Sequence, residues 1–451
     1  MNKNNSIIKT TIQMGIPIMI SQIVVFLNVF FDTFYVSSIN KQSTMLVTAT
    51  GLVFPLMTIF LNLCQAILVG VSSITSRLLG EGNKKSLNEI GASSIFMSTI
   101  LAFILMVLAY IFYKPAINLL AGDQVSRQTI EYAGQYFAII IPGMGLNLVI
   151  FSLYGMLQGG GRMGLFGILA ISSSIFNILI DPFFIYVLGW GIKGAAFSTS
   201  AGNLIPLLLY FILNKKSKEK PTVPVKLKLN LVNGDIIKEI IKIGLITSSG
   251  MFLLNFSSMV INNSIGSISE AALNAWVLVG RMDQLFLIPS FAIGLATIPM
   301  IGSNFGKKNY EECTKIAKTN LVLCLSVCTA LGILYIIFAK GIFSIFTNVE
   351  EVISIATYMA RILAVTTIAV AGSTVIGCSL QGAGKAIPGL VGDIIRTVLS
   401  VLILLVPVFA TLTINTTIVF IVAGNLISFI SLYIYSRLYF NKLKKMAGSY
   451  S

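Results

Sequence analysis

Four acidic residues lie inside long apolar stretches of this 451-residue chain: Asp32, Asp181, Asp283 and Asp393. An ionisable side chain at the centre of a lipid bilayer costs at least about 2.5–3.5 kcal/mol. Such residues are therefore rare, and those that occur usually have a function. Each of these carboxyl groups is therefore a candidate for ion or proton chemistry.

Asp32 and Asp181 are the strongest candidates, because no basic residue of their own apolar segments neutralises them. Asn177 precedes Asp181 by four residues, which places both side chains on one face of a helix. Two carboxyls and an amide offer the oxygen ligands that a small hard cation prefers. The same group can hold a proton, because two adjacent buried carboxylates repel each other. A polar contact that only joins two helices is the structural alternative.

The second half of the chain offers no such pair. Asp283 shares a segment with Arg281, and Asp393 precedes Arg396 by three residues. We interpret these as two internally balanced pairs. Arg281 and Asp283, together with Tyr136 and Pro17, are candidate substrate or gating residues. Pro17 removes one backbone hydrogen bond inside the first apolar segment, which predicts either a hinge or a static kink.

The composition identifies the surroundings of these residues. Hydrophobic residues make up 56% of the chain and charged residues only 10%, whereas a soluble domain carries about 25% charged residues. Apolar stretches of about 20 residues, each long enough to cross a bilayer as a helix, recur throughout. They are near 14–37, 46–75, 91–113, 133–157, 164–188, 193–214, 240–263, 271–303, 318–339, 356–379, 388–409 and 415–437. These continuous runs predict an all-α integral membrane protein of twelve helices, since strands of a membrane barrel alternate apolar and polar residues.

The basic residues indicate the orientation. With both termini in the cytoplasm, the cytoplasmic segments hold 23 Lys and Arg, the opposite side holds 5, and three lie within spans. This asymmetry follows the positive-inside rule and predicts a multi-pass protein of the cell membrane with both ends cytoplasmic. The net charge of +15 therefore reflects membrane topology, and we expect the basic residues to contact anionic lipid headgroups of the bilayer. We expect no nucleic-acid partner. The first apolar segment is too long for a cleaved signal peptide.

The chain contains one unit twice. The stretch 157–162 (LQGGGR) recurs as 380–385 (LQGAGK), 223 residues later, and Gly80 and Asn83 recur as Gly306 and Asn309, 226 residues later. Offsets near half the chain length indicate a duplicated six-helix unit. An even number of spans per unit gives both copies the same orientation, so we expect two bundles related by a pseudo-two-fold axis along the membrane normal.

The longest polar stretch separates the two copies. It predicts an N-terminal six-helix lobe at 1–213, a cytoplasmic linker at 214–239 and a C-terminal six-helix lobe at 240–451. Two lobes joined by one linker suit rocking about a central substrate path.

Several other chemistries find no support in the sequence. The five cysteines form no CxxC motif and the chain has no histidine, so we predict packing cysteines rather than a metal or redox site. No phosphate-binding GxxxxGK[ST] motif occurs. We expect no catalytic residues and no cofactor.

These residues also carry a resemblance to a known family. The chain resembles the multidrug and toxic compound extrusion (MATE) family over essentially its whole length. The matching pieces, in chain order, are Gly15-Ile16-Pro17, Asp32-Thr33, the Gly-rich loop at 80–83, Tyr136 with Gly143, the stretch 157–161, Asn177 with Asp181-Pro182, and Gly191 with 194–196.

The resemblance implies an antiporter, expected as a monomer, that exports amphipathic and often cationic small molecules in exchange for inward Na⁺ or H⁺. In one branch of the family an ion site lies in the first half, and its members map onto Asp32, Asn177, Asp181 and Thr199, with Tyr136 nearby. Another branch uses acidic residues of the seventh and tenth spans, and this chain has none there. A lipid-linked oligosaccharide flippase of the same superfamily is the alternative function.

Overall fold

A computed structural model of the protein describes residues 3–39, 45–121, 125–216, 223–224, 228–406 and 413–448. Within them, twelve stretches are long and apolar enough to cross a membrane as helices, which confirms the predicted all-α architecture of twelve spans. The helices are α1 (Lys3–Ile39), α2 (Met45–Glu81), α3 (Lys84–Leu120), α4 (Arg127–Gly159), α5 (Met163–Pro182), α6 (Ile192–Gly202), α7 (Leu204–Lys216), α8 (Gly234–Gly266), α9 (Glu270–Gly306), α10 (Tyr310–Ser344), α11 (Glu350–Gly382), α12 (Ile387–Val401) and α13 (Ile414–Gly448).

Two of these helices share one span. Helices α6 and α7 together form the candidate span Ile192–Leu213. The helix is interrupted between them at Asn203. Short irregular helices fill three connections: a π-helical turn at Phe183–Val187 and 3-10 turns at Leu229–Leu231 and Leu402–Leu405.

The turns of the two halves repeat each other in detail. In the α4–α5 turn Gly161 has φ of +74°, and at the matching place in the α11–α12 turn Gly384 has φ of +76°. In both turns the next residue donates its backbone N–H back across five residues at 2.8 Å, Arg162 to Leu157 and Lys385 to Leu380. The duplicated sequence therefore folds into duplicated local structure.

The α2–α3 and α9–α10 turns repeat in the same way, with one difference. Asn83 and Asn309 each cap the following helix with a side-chain oxygen. The residue before each asparagine has positive φ, +71° at Gly82 and +58° at Lys308. Glycine adopts this left-handed conformation freely, whereas a residue with a Cβ is strained there.

Lys308→Gly should therefore stabilise the protein. Relief of the left-handed strain is expected to raise the free energy of unfolding by about 1 kcal/mol. The matched control is Lys307→Gly, because Lys307 has φ of −73° and gains nothing from glycine. Thermal melting of the purified variants checks this, and a Lys308→Gly protein that melts no higher than the wild type would contradict it.

The chain forms two compact units. The N-terminal unit is Ile20–Gly244, and the C-terminal unit is Met1–Met19 with Leu245–Ser451. The lobe boundaries predicted from the sequence follow the duplicated halves, and they remain a prediction. The compact units are defined by how the helices pack. They differ from the duplicated halves because the first part of α1 belongs to the C-terminal unit and the first part of α8 belongs to the N-terminal unit.

Polar contacts hold the first part of α1 in the C-terminal unit and the first part of α8 in the N-terminal unit. In the C-terminal unit, the Thr11 hydroxyl donates to Asn320 Oδ1 at 2.8 Å, and Asn320 Nδ2 donates to Thr297 Oγ1 at 2.8 Å. In the N-terminal unit, Glu239 of α8 forms an ion pair with Arg77 of α2 at 2.6 Å. Thr11 and Asn320 lie 309 positions apart and Arg77 and Glu239 lie 162 positions apart, so no local pattern indicates these two contacts.

Candidate functional site

The residues predicted to bind an ion come together in the N-terminal unit. Asn177 and Asp181 lie on α5, both almost fully buried, and Thr199 lies on α6. Asn177 Nδ2 donates to Asp181 Oδ1 at 3.2 Å and to Thr199 Oγ1 at 3.2 Å. Asp32 of α1 adjoins them, with its carboxyl group in hydrogen-bonding reach of Asp181. The structure thus places all four predicted residues in one cluster.

The end of α5 sets the position of Asp181. The i, i+4 spacing directs Asn177 and Asp181 to the same face, as the hydrogen bond between them shows. Pro182 follows directly, and the π-helical turn Phe183–Val187 begins after it. A π-helical turn is uncommon and occurs often at functional sites.

Three oxygen atoms of this cluster have no donor. Within the described residues, Asp32 Oδ1, Asp181 Oδ2 and Asn177 Oδ1 are buried without a hydrogen-bond partner. A buried acceptor left unpaired costs about 1–3 kcal/mol, and more when it is charged. Two adjacent carboxylates in an apolar interior also repel each other. A cation bound by these oxygens removes both costs, and a bound proton removes the repulsion.

Two further residues complete the cluster and were missed in the sequence analysis. The Ser198 hydroxyl donates to Asp181 Oδ1 in a short hydrogen bond, and Asn28 Nδ2 donates to Asp32 Oδ2 at 3.4 Å. Asn28 and Asp32 repeat the i, i+4 spacing of Asn177 and Asp181, so this pair carried a readable signal. Ser198 carried none, because a serine in a small-residue helix is ordinary.

Tyr136 lies where the resemblance implies. It is buried in α4, and its ring is close enough to interact electrostatically with both Asp32 and Asp181. Helix α4 approaches α6 closely on the same side, because a Cβ on Gly143 would lie 2.6 Å from the Cα of Ser200. The hydroxyl of Ser200 donates to the backbone oxygen of Ile139 at 2.9 Å, which fixes α6 against α4.

Gly143→Ala should destabilise the N-terminal unit. The added methyl group meets backbone atoms, so the two helices must separate, and we expect a loss of about 1–3 kcal/mol. Gly51→Ala is the matched control, because no atom lies within 4 Å of a Cβ there. Within a helix alanine is more stable than glycine by about 0.5–1 kcal/mol, so this variant should not be destabilised. Equal melting temperatures for the two variants would contradict this close packing.

The remaining predicted residues lie outside the cluster. Pro17 is half-buried within α1, and it belongs to the C-terminal unit. Arg281 is exposed on α9, and the charge that acts on Asp283 comes from Arg396. The predicted pairing of Arg281 with Asp283 is wrong, because residues two apart do not share a helix face.

The family model described as MatE matches residues 17–183 and 247–406, one stretch in each half. The chain belongs to the MATE family. As a MATE-family chain it is a multi-pass membrane transporter, which confirms the resemblance drawn from the motifs.

Relatives within the family match this chain over most of its length. It is 21% identical over 362 residues to the multidrug export protein MepA of Staphylococcus haemolyticus, covering 80% of this chain and 78% of the relative. It is 22% identical over 373 residues to MepA of a bovine Staphylococcus aureus strain, with the same coverage.

Solved structures show the same fold. A crystal structure of MATE in the bent conformation superposes with a TM-score of 0.90 at 22% identity, covering 98% of this chain and 97% of the other. A mutant of the Vibrio cholerae MATE transporter VcmN gives a TM-score of 0.89 at 18% identity, covering 98% and 99%.

Proposed function

We propose that this transporter is a secondary active antiporter, acting as a monomer in the cell membrane with both termini cytoplasmic. It exports amphipathic, cationic drugs or toxic organic compounds in exchange for inward Na⁺ or H⁺. The observation that carries the proposal is the Asp32–Asp181 carboxyl pair with its unpaired buried oxygens. The relatives that are multidrug export proteins support export as the direction.

The carboxyl pair binds the coupling ion. With the site empty, two carboxylates face each other in an apolar unit, and the repulsion between them is costly. One Na⁺ or one proton relieves it. Asn177 holds Asp181 and Thr199 through its two N–H donors, which leaves its own carbonyl oxygen for the ion. Ser198 donates to the same oxygen of Asp181, Oδ1, as Asn177 does, which leaves Oδ2 for the ion.

Ion occupancy then selects between two conformations. A ligand shifts a conformational equilibrium only as far as its affinities for the two states differ. If the ion-loaded site favours one state and the drug favours the other, each lowers the affinity of the transporter for its competitor by the same factor. Downhill ion entry therefore drives uphill drug export without direct contact between ion and drug.

The substrate class follows from the side chains that the chain offers. It contains 29 Phe and 16 Met but only 16 acidic residues. Flexible Met and flat aromatic side chains can repack around many apolar ligands, and aromatic faces attract organic cations. This favours broad selection of amphipathic cations over stereospecific recognition of one metabolite.

Transport in liposomes tests the proposal. Purified protein is reconstituted, a single gradient of Na⁺ or of pH is imposed, and movement of a fluorescent organic cation such as ethidium is followed. We expect one gradient to drive ethidium against its own gradient, and its collapse by an ionophore to stop transport. Ethidium movement that neither gradient alters, equal to protein-free liposomes, would overturn the antiporter.

A further inference from the structure

The N-terminal unit contains a cavity of about 560 Å³ between the end of α3, the start of α4 and the start of α6. Its apolar part is formed by Ile117 of α3 and by Ile130, Ala138 and Ile139 of α4. The hydroxyl of Tyr110 on α3 donates to the backbone oxygen of Ala138 at 3.0 Å, which holds α3 and α4 together beside the cavity. Cavities of about 300–1,000 Å³ are of the size that binds small ligands.

Three exposed charged residues also line this cavity, namely Lys114 of α3, Glu131 of α4 and Lys193 of α6. Among the residues that the structure describes, neither lysine forms an ion pair. The ammonium of Lys114 lies 5.9 Å from the ring centroid of Tyr113, a contact that supplies no counter-charge. Glu131 accepts a hydrogen bond from Gln135 at 3.2 Å. Two lysines and one carboxylate leave the lining with one positive charge.

The cavity lies at one end of the N-terminal unit, because α3 ends there and α4 and α6 begin there. The predicted orientation places this end outside the cytoplasm. Helix α3 exposes Phe112 and Leu119 in this region, apolar side chains suited to contact with acyl chains. A lysine near the end of a membrane helix keeps its apolar stem in the hydrocarbon and its ammonium among the headgroups. The two lysines are thus suited to bind at the level of the phospholipid headgroups.

The shape and the charge of the lining together select one class of ligand. A ligand that satisfies both parts has an apolar chain and one negative charge, as a phospholipid with a phosphodiester headgroup has. Phosphate oxygens accept charge-assisted hydrogen bonds from ammonium groups. A zwitterionic phospholipid leaves the positive charge uncompensated, a free phosphate leaves the apolar part unfilled, and an organic cation meets like charge.

We propose that this cavity binds an anionic phospholipid of the non-cytoplasmic leaflet. Its phosphodiester group lies against Lys114 and Lys193, and one acyl chain covers the apolar part between α3 and α4. The lipid site has no residue in common with the cluster of Asp32 and Asp181, so it does not depend on which ion drives export.

Photolabelling of the purified protein tests this. The reagent is phosphatidylglycerol with a photoreactive group in one acyl chain, and mass spectrometry maps the labelled peptides. We expect label in the parts of α3 and α4 that line the cavity. Unlabelled phosphatidylglycerol should displace it at a concentration about 5-fold or more below that of phosphatidylcholine with the same chains.

Variants of the lining separate charge from shape. Lys114→Ala and Lys193→Ala should each weaken labelling by about 5-fold, and Glu131→Gln should strengthen it by a similar factor. A gain of this kind cannot come from misfolding. Gly134→Leu should block labelling with all charges in place, because it fills the cavity. A Cβ at Gly134 meets only the Tyr113 ring, at 3.6 Å, so the first atom of the new side chain fits.

The matched control is Lys340→Ala, which removes an exposed lysine predicted to lie on the same side of the membrane and paired with Glu350 at 3.0 Å. It should label like the wild type. Equal displacement by phosphatidylcholine would reveal an unselective lipid groove and overturn the proposal. So would displacement by free glycerol phosphate as effective as that by phosphatidylglycerol, or unchanged labelling of both cavity-lysine variants. Since no transport is measured, failure of this lipid site is distinguishable from failure of the antiport mechanism.

Discussion

Asp32→Asn is expected to abolish ion-driven drug export while the protein still folds. The amide has the shape of the acid but never carries a negative charge, so it mimics a permanently neutralised site. The repulsion that ion binding relieves is then missing, and ion occupancy no longer selects between conformations. We expect export from cells, and ion-driven transport in liposomes, to fall to the level of controls without the protein. Drug binding to the purified variant should persist.

The control for this variant is Asp235→Asn. Asp235 is an exposed residue in the first turn of α8, so its change removes the same charge at a place without a role in the proposed site. It should transport like the wild type. Asp181→Asn should behave like Asp32→Asn, because both carboxyls are needed for the repulsion. Normal export by a folded Asp32→Asn protein would exclude the N-terminal unit as the coupling site.

Asn177→Ala should have the second-largest effect, and it separates the two ions. The change removes one buried oxygen ligand and both donors that hold Asp181 and Thr199. Groups that orient metal ligands change metal affinity by about 10–100-fold when they are removed. We therefore expect the Na⁺ concentration for half-maximal transport to rise by about 10–100-fold. A proton needs only a carboxyl oxygen, so H⁺-driven transport should change much less.

Thr199→Ala is the milder companion of this variant. It removes one acceptor of the Asn177 amide and leaves both carboxyls and the amide in place. Its effect on Na⁺ dependence should lie between wild type and Asn177→Ala. A fall of Na⁺-driven and H⁺-driven transport by the same factor in Asn177→Ala would mean that Asn177 supports the fold rather than the ion.

Local patterns were enough to predict Asp32, Asn177 and Asp181 as candidate ion-binding residues, and the structure brings these three together. The apolar run around Asp32 marks a charge that has to be explained, and the i, i+4 spacing joins Asn177 to Asp181. The repeated turns were equally readable, since Gly161 and Gly384 stand in matching motifs and share positive φ. These features depend on residues close together in the chain.

Contacts between distant segments could not be predicted in this way. Asp283 interacts with Arg396, which lies on another helix, whereas sequence proximity suggested Arg281. Thr11 is held by Asn320 in the C-terminal unit, although the duplicated sequence assigns α1 to the first half. Ser198 reaches Asp181 from α6. Such pairs depend on how helices pack, and a single sequence carries no local signal for that.

Drug release from purified protein by the driving ion tests the central claim most directly. Protein loaded with a fluorescent organic cation is titrated with Na⁺, or with acid, whichever gradient drives transport. We predict that the wild type and Asp235→Asn release the drug as the ion binds. Asp32→Asn and Asp181→Asn should keep it bound over the whole titration. Release from folded Asp32→Asn protein at the ion concentration of the wild type would contradict the assignment of Asp32 and Asp181 as the coupling site.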